Sequence, residues 1–117
     1  MIIDSHCHLT YEPMSNSLSE TIGRANQDGV KYILTISTED KSYNKIINII
    51  TKHKCVFGTY GIHPHEAKSH QHIKASNIIK KVNINKKIIG IGETGLDFYY
   101  NHSEKNDQIN CFEEHIY

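Results

Sequence analysis

The sequence predicts an α/β fold in which about four parallel strands alternate with helices. Three observations predict it. Four short apolar runs rich in β-branched or aromatic residues occur at residues 1–9, 30–36, 55–60 and 88–91. Between them lie segments whose apolar residues recur at helical spacing. Polar residues able to bind metal or substrate cluster just after the ends of the runs. Such an alternation implies right-handed crossovers and parallel strands, with all strand C-termini along the one edge where ligands bind.

The opening run reads MIIDSHCHL, and its Asp4, His6 and His8 are set two apart. In an extended strand that spacing puts all three on one face. A polar loop with Pro13 follows. Ser17, with Glu20 three residues on, has the form of a capping box, and Leu18, Ile22 and Ala25 keep helical spacing until Gly29 supplies a stop. Residues 30–36 (VKYILTI) form strand two. Asp40 is the expected N-cap of a second helix, with Tyr43, Ile46, Ile47 and Ile50 on its apolar face and Lys45, Asn48 and Lys52 facing water.

Strand three, residues 55–60, is closed by Gly61. It leads into GIHPH, a loop stiffened by Pro64 that presents His63 and His65. Ile73, Ile78, Ile79 and Val82 mark a third helix, ended by the polar residues around 83–87. Strand four, residues 88–91, runs into GETGLDFYY with its carboxylates Glu93 and Asp97. Ile109, Phe112 and Ile116 then open a fourth helix that is expected to be barely begun and cut short at Tyr117.

A chain of 117 residues accommodates one domain with a real core. Thirteen basic residues balance thirteen acidic ones, so the charge shows no excess of the kind that marks a phosphate-binding footprint. Three widely spaced cysteines suggest neither a disulfide framework nor a cysteine-rich zinc site. Asp4 comes too early for the apolar core of a signal peptide, and no run approaches the length of a membrane span. The expectation is a soluble cytoplasmic protein. Histidine is the outlier in composition, with nine.

Placed on the predicted edge, His6 and His8 follow strand one, Ser37 strand two, His63 and His65 strand three, and Glu93 and Asp97 strand four. His6, His8 and Glu93 suit a borderline divalent ion such as zinc, or manganese with further oxygen ligands. A carboxylate can also bridge two ions. Cys7, between the ligands, is expected to point away as a buried thiol. For His63 and His65 three roles stay open: binding a substrate oxyanion, orienting a neighbour, or facing solvent. Asp4 and Asp97 are expected to support the ligands from outside by hydrogen bonds, Asp97 by holding the Glu93 loop. Tyr99 and Tyr100 are packing groups or substrate contacts. His53, His70, His72, His102 and His115 are expected to be structural or solvent-facing.

Four motifs, DSHCHL, GIHPH, GETGLDFYY and the helix start from Gln108 with Phe112 four residues on, occur in an order and at separations that resemble the TatD family. Its members are metal-dependent deoxyribonucleases within the amidohydrolase-like TIM-barrel group. The resemblance covers the whole chain and implies the N-terminal half of a (β/α)8 TIM barrel, with residues 1–117 as a single incomplete domain. It implies hydrolysis of phosphodiester bonds in DNA by two divalent ions, zinc, magnesium or manganese. His6 and His8 would then ligate one metal, the catalytic Glu93 would bridge both, and His63, with His65, would lie beside the substrate phosphate.

Thr94 and Phe98 stand where the family commonly has Ile and Tyr. The larger departure is length, since a complete barrel takes roughly 250 residues and only four strands are present. The family's remaining ligands, two histidines and an aspartate on later strands, have no counterpart. The resemblance therefore leaves two readings: a nuclease that is truncated, or a non-catalytic remnant or split-gene half. Such a half would bind one metal weakly, self-associate, or pair with a separate C-terminal half. Hydrolysis of a C–N or ester bond is a further alternative, because similar barrels serve many chemistries.

Overall fold

The computed structural model describes residues 1–117. Its elements alternate as expected: β1 (Ile2–Cys7), α1 (Leu18–Gln27), β2 (Val30–Thr35), α2 (Tyr43–Lys52), β3 (Val56–Tyr60), α3 (Ala75–Asn83), β4 (Ile88–Ile91) and α4 (Lys105–Ile116). Short 3-10 turns precede α1 and α2, and a third, Pro64–Ser69, follows β3. The four strands form one sheet in the order β1-β2-β3-β4, with every pair parallel. These are four consecutive βα units of a barrel-type sheet, half of the eight that close one.

Helices pack over one face of the sheet. Ile33, Val56, Tyr60 and Ile88 from the strands meet Ile22, Ile46, Ile50, Ile78 and Cys111 from the helices in one buried cluster. Ile46 and Val56 have no exposed surface, and burial of a side chain of this size stabilises by about 1.5–3 kcal/mol. Gly58 lets α2 approach this closely, because a Cβ there would lie 2.6 Å from Ile46 Cγ2.

The other face is bare. Residues next in sequence to the inward ones point away from the helices, and Tyr32, Ile89 and Ile91 are 46%, 58% and 48% exposed. Ile3, paired with Tyr32, is equally open.

Several local expectations are corrected. Asp40 does not cap α2 but begins a 3-10 turn, and Ser42 takes the N-cap position. The Asp40 carboxylate instead accepts the Tyr60 hydroxyl at 2.6 Å and pairs with Lys81 at 3.4 Å. A core phenol needs an acceptor, and this one outcompetes the helix end. Ser17 stands at the N-cap of α1 without a side-chain capping bond, because the chain enters from the turn Met14–Ser17. In α2 the buried face includes Ile49 rather than Ile47. Ile73 is buried ahead of α3 instead of on it, and Ile79 is exposed.

The largest correction concerns α4, which is not a helix barely begun but runs for 12 residues from Lys105. Its buried residues are Gln108 and Cys111, whereas Ile109 and Phe112 are half-buried and Ile116 is exposed. Gln108 turns inward because the loop after β4 offers it partners. Its Oε1 accepts the Asp97 N–H at 2.7 Å, and its Nε2 donates to the Asp97 and Ser103 carbonyls, each at 2.9 Å.

Candidate metal centre

The C-terminal ends of β1 and β4 bring three side chains together. His6 Nε2 lies 3.6 Å and His8 Nε2 3.8 Å from the same oxygen of Glu93, Oε2. Ligand atoms of the three residues all fall within 4.8 Å of one another. His8 Nδ1 sits 3.3 Å from the Ile36 carbonyl. That oxygen can only accept, so Nδ1 carries the proton and Nε2 presents a lone pair. An imidazole lone pair thus faces a carboxylate oxygen, an arrangement of two acceptors that a shared cation relieves. The donor set fits a divalent ion, and the Ile36 contact is the outer support such a histidine needs.

Strict alternation along β1 is not what positions these histidines. The register with β2 breaks between Asp4 and Cys7, and Asp4 Oδ1 accepts the backbone N–H of His6 at 3.1 Å. Asp4 therefore shapes the strand end and does not converge with the two rings. Cys7 turns away, its thiol donating to the Leu34 carbonyl at 3.6 Å. Burial pushes its pKa up to about 11, which keeps it a neutral thiol.

Glu93 is held through its backbone. Its N–H donates to the Ser37 carbonyl at 2.8 Å, and the Gly92 N–H to the Tyr60 carbonyl at 2.9 Å. Ser37 is fully buried: its hydroxyl donates to the Gly61 carbonyl and its N–H to the Thr59 hydroxyl. It thus ties three strand ends together and serves as a brace for the site. Gly61 crosses against Gly92 so closely that a Cβ would lie 2.6 Å from the Gly92 backbone, and Gly92 itself has φ +151°. Both positions need glycine for Glu93 to reach the histidines.

His63 and His65 form the adjoining wall. The His65 N–H donates to His63 Nδ1 at 3.1 Å. His63 therefore carries its proton on Nε2, 3.7 Å from Glu93 Oε1. Burial lowers the pKa of His63, which keeps the ring neutral and makes Nε2–H a donor near neutral pH. His65 Nε2 meets Asp97 Oδ2 at 2.6 Å, and Asp97 Oδ1 accepts the Tyr99 and Tyr100 N–H groups at 3.0 and 3.2 Å. The hydrogen bond from His65, then those from the two backbone groups, holds the Asp97 carboxyl below the usual carboxylate range. Asp97 thus fixes both His65 and its own loop.

Between these walls lies an open cleft of about 280 Å³, bounded also by Tyr11, Thr38 and Glu66. The Tyr11 and Thr38 hydroxyls bond each other, and the His8 ring stacks on Tyr11 at 5.0 Å. A larger cleft of about 380 Å³, between the segment ahead of α3 and α4, is lined by Gln71, Lys74, Glu113 and Glu114. Its lining includes none of His6, His8, His63, His65 or Glu93.

Sequence reasoning missed Tyr11, Thr38 and the bracing by Gln108. Nothing in their spacing marks Tyr11 or Thr38, and although Gln108 opens the fourth motif, its role shows only in its contacts with Asp97. The expectation that His115 is structural gains a specific content. Its Nε2 accepts the Ile62 N–H at 3.0 Å, and its Nδ1–H donates to the Cys111 carbonyl at 2.7 Å. It pins the residue before His63 and must be neutral to do so.

Burial lowers the pKa of His115 below its ordinary 6.5. Between the lowered value and 6.5 the unfolded chain binds more protons than the folded one, so stability rises with pH across that window. This contribution is complete above about pH 6.5 and is lost as pH falls through the folded value. In urea unfolding at pH 7.5 and pH 5, His115→Gln is expected to show a smaller loss on acidification than the wild type. An equal loss would show that His115 is not buried neutral.

A parallel α/β half-barrel with two histidines and a carboxylate at the C-terminal edge of its strands belongs with the metal-dependent hydrolases. The chain is a member of the TatD-related DNase family, whose model matches residues 3–117. It is 35% identical to an uncharacterized metal-dependent hydrolase of Buchnera aphidicola subsp. Acyrthosiphon pisum, over 98% of this chain and 47% of that protein. Identity is 25% with the 3'-5' ssDNA/RNA exonuclease TatD of Salmonella typhimurium, over 98% and 44%. The crystal structure of YJJV, a TatD homologue from Escherichia coli, superposes with a TM-score of 0.88 at 23% identity, covering 98% of this chain and 45% of that one. This likeness concerns the fold. The chain spans a little under half the length of these relatives.

Proposed function

We propose that this chain supplies the metal-binding half of a hydrolase that cleaves phosphodiester bonds in DNA with divalent ions. The convergence of His6, His8 and Glu93, with the Nε2–H of neutral His63 at the second carboxylate oxygen, carries the reading. His6, His8 and Glu93 would hold a divalent ion between them, and a carboxylate such as Glu93 could be shared with a second ion. A bound zinc, magnesium or manganese ion supplies a Lewis acid for a phosphate oxygen and lowers the pKa of water. The His63 Nε2–H would donate a hydrogen bond to a phosphate oxygen in the cleft, and His65, locked by Asp97, lines the same wall. The Salmonella relative, named for action on single-stranded DNA and RNA, supports a nucleic-acid substrate.

A second reading concerns how much of this the chain does alone. It provides one set of three ligands from two strands, which leaves a second ion without partners of its own. By itself the chain holds one ion weakly, and pairing with a C-terminal half, or with a second copy, completes the barrel. Its three free cysteines suit a reducing cytoplasm, and no helix is long and apolar enough to cross a membrane.

The test is cleavage of a labelled oligonucleotide by the 117-residue chain with manganese or with chelator. Slow, chelator-sensitive cleavage that His8→Ala removes is expected, at a rate far below that of a full-length relative. Cleavage unchanged in His8→Ala would overturn the metal assignment, and a rate matching the full-length enzyme would overturn the half-site reading.

A further inference from the structure

We propose that the aromatic residues exposed on the loop between β4 and α4, chiefly Tyr99 and Tyr100, form a stacking platform for unpaired nucleotides of a single-stranded nucleic acid whose phosphate lies at the metal centre. The proposal deepens the phosphodiesterase reading by assigning where the bases go. Phe98, Tyr99 and Tyr100 are 49%, 85% and 54% exposed, three consecutive aromatic rings in water. Their loop is nonetheless held. Asp97 accepts both tyrosine N–H groups, Gln108 grips the Asp97 backbone, and the Ser103 hydroxyl donates to the His65 carbonyl. Rings presented on a fixed backbone cost little to order on binding.

The rings also lead to the site. His63 Nε2 is 3.7 Å from Glu93, and the His63 and His65 rings are 4.4 Å apart. His65 then neighbours His102 at 4.4 Å and Tyr100 at 5.8 Å. Tyr100 and His102 lie near parallel, 5.9 Å apart, and Tyr99 meets Tyr100 edge-on at 4.8 Å. A continuous row of rings thus runs outward from the phosphate-binding wall. Next in sequence to Tyr99, the Phe98 ring has Lys105 Nζ 5.0 Å over it, an amine placed beside an aromatic face. Aromatic faces flanked by a cation are the usual means of holding bases without reading their sequence.

Chemistry decides the kind of partner. A duplex keeps its base faces stacked on each other, so only unpaired bases can use these rings. The chain has no net charge, so affinity must come from stacking more than from counterion release, and its salt dependence should be shallow.

The test is fluorescence anisotropy of labelled oligo-dT in chelator, where no cleavage occurs, against an abasic strand of equal length and a duplex. Wild type should bind oligo-dT with a shallow salt slope and bind the other two about tenfold or more weakly. Tyr99→Ala and Tyr100→Ala should each weaken oligo-dT about tenfold, and Tyr99→Trp should retain binding. Both side chains are surface-exposed, and circular dichroism checks that the variants fold. Equal binding of abasic strand and oligo-dT, unchanged binding in both Ala variants, or no binding by wild type would overturn the platform. Loss of self-association in Tyr99→Ala without loss of strand binding would assign the patch to a protein contact and overturn it equally. Because binding is read without metal, failure of the phosphodiesterase reading shows separately, as absent metal-dependent cleavage.

Discussion

Glu93→Gln is expected to lower the affinity of the chain for zinc or manganese by more than about a hundredfold, read by isothermal titration or by metal content after dialysis. Loss of an outer partner alone costs roughly 10–100-fold at such sites, and Glu93 is the only carboxylate of the set. The amide keeps the shape of the side chain but removes the charge that His6 and His8 both face at under 4 Å. His8→Ala should do the same, because the Ile36 carbonyl fixes the Nε2 lone pair of His8 toward Glu93 Oε2. Asp97→Asn is the control. That carboxylate serves His65 and the loop backbone, not His6 or His8, so metal content should change little. Stoichiometry should approach one ion per chain. Metal content equal in wild type, Glu93→Gln and His8→Ala would remove the basis for a metal centre.

Sedimentation of the 117-residue chain at micromolar concentration is expected to show a dimer or larger species. β1 and β4 are both edges of the sheet, with unpaired backbone groups available to another strand. The face turned from the helices exposes Ile3, Tyr32, Ile89 and Ile91 together, and monomers seldom leave a broad apolar surface open. Two copies related by a two-fold axis could pair β4 of each with β1 of the other and complete eight strands. Such an assembly would carry two His6, His8 and Glu93 sets. Ile89→Lys with Ile91→Lys should shift the population toward monomer without unfolding it, since neither side chain belongs to the buried cluster. A compact wild-type monomer would refute the argument and show that the bare face is tolerated.

The strands and helices were legible because their signals are local. Apolar runs and helical spacing reflect which side chains one element must bury, so all eight elements fall where periodicity puts them, within a few residues at their ends. Errors arose where a distant polar partner competed with local preference. Asp40 serves the Tyr60 phenol rather than a helix end, and Gln108 turns the axial rotation of α4 away from its isoleucines.

The candidate site divides along the same line. Which residues gather at the edge follows from counting strand ends, because parallel crossovers send every strand C-terminus the same way. His6, His8, His63, His65, Glu93 and Asp97 could be named for that reason alone. How they meet could not. The proton positions on His8 and His63 depend on Ile36 and His65 backbone groups, and the reach of Glu93 depends on the crossing of Gly61 and Gly92. These are contacts between separate βα units, set when the sheet assembles. Short-range patterns in the chain determine which residues stand at the edge as candidate ligands, whereas their lone pairs, separations and supports are decided by packing between strands remote in sequence.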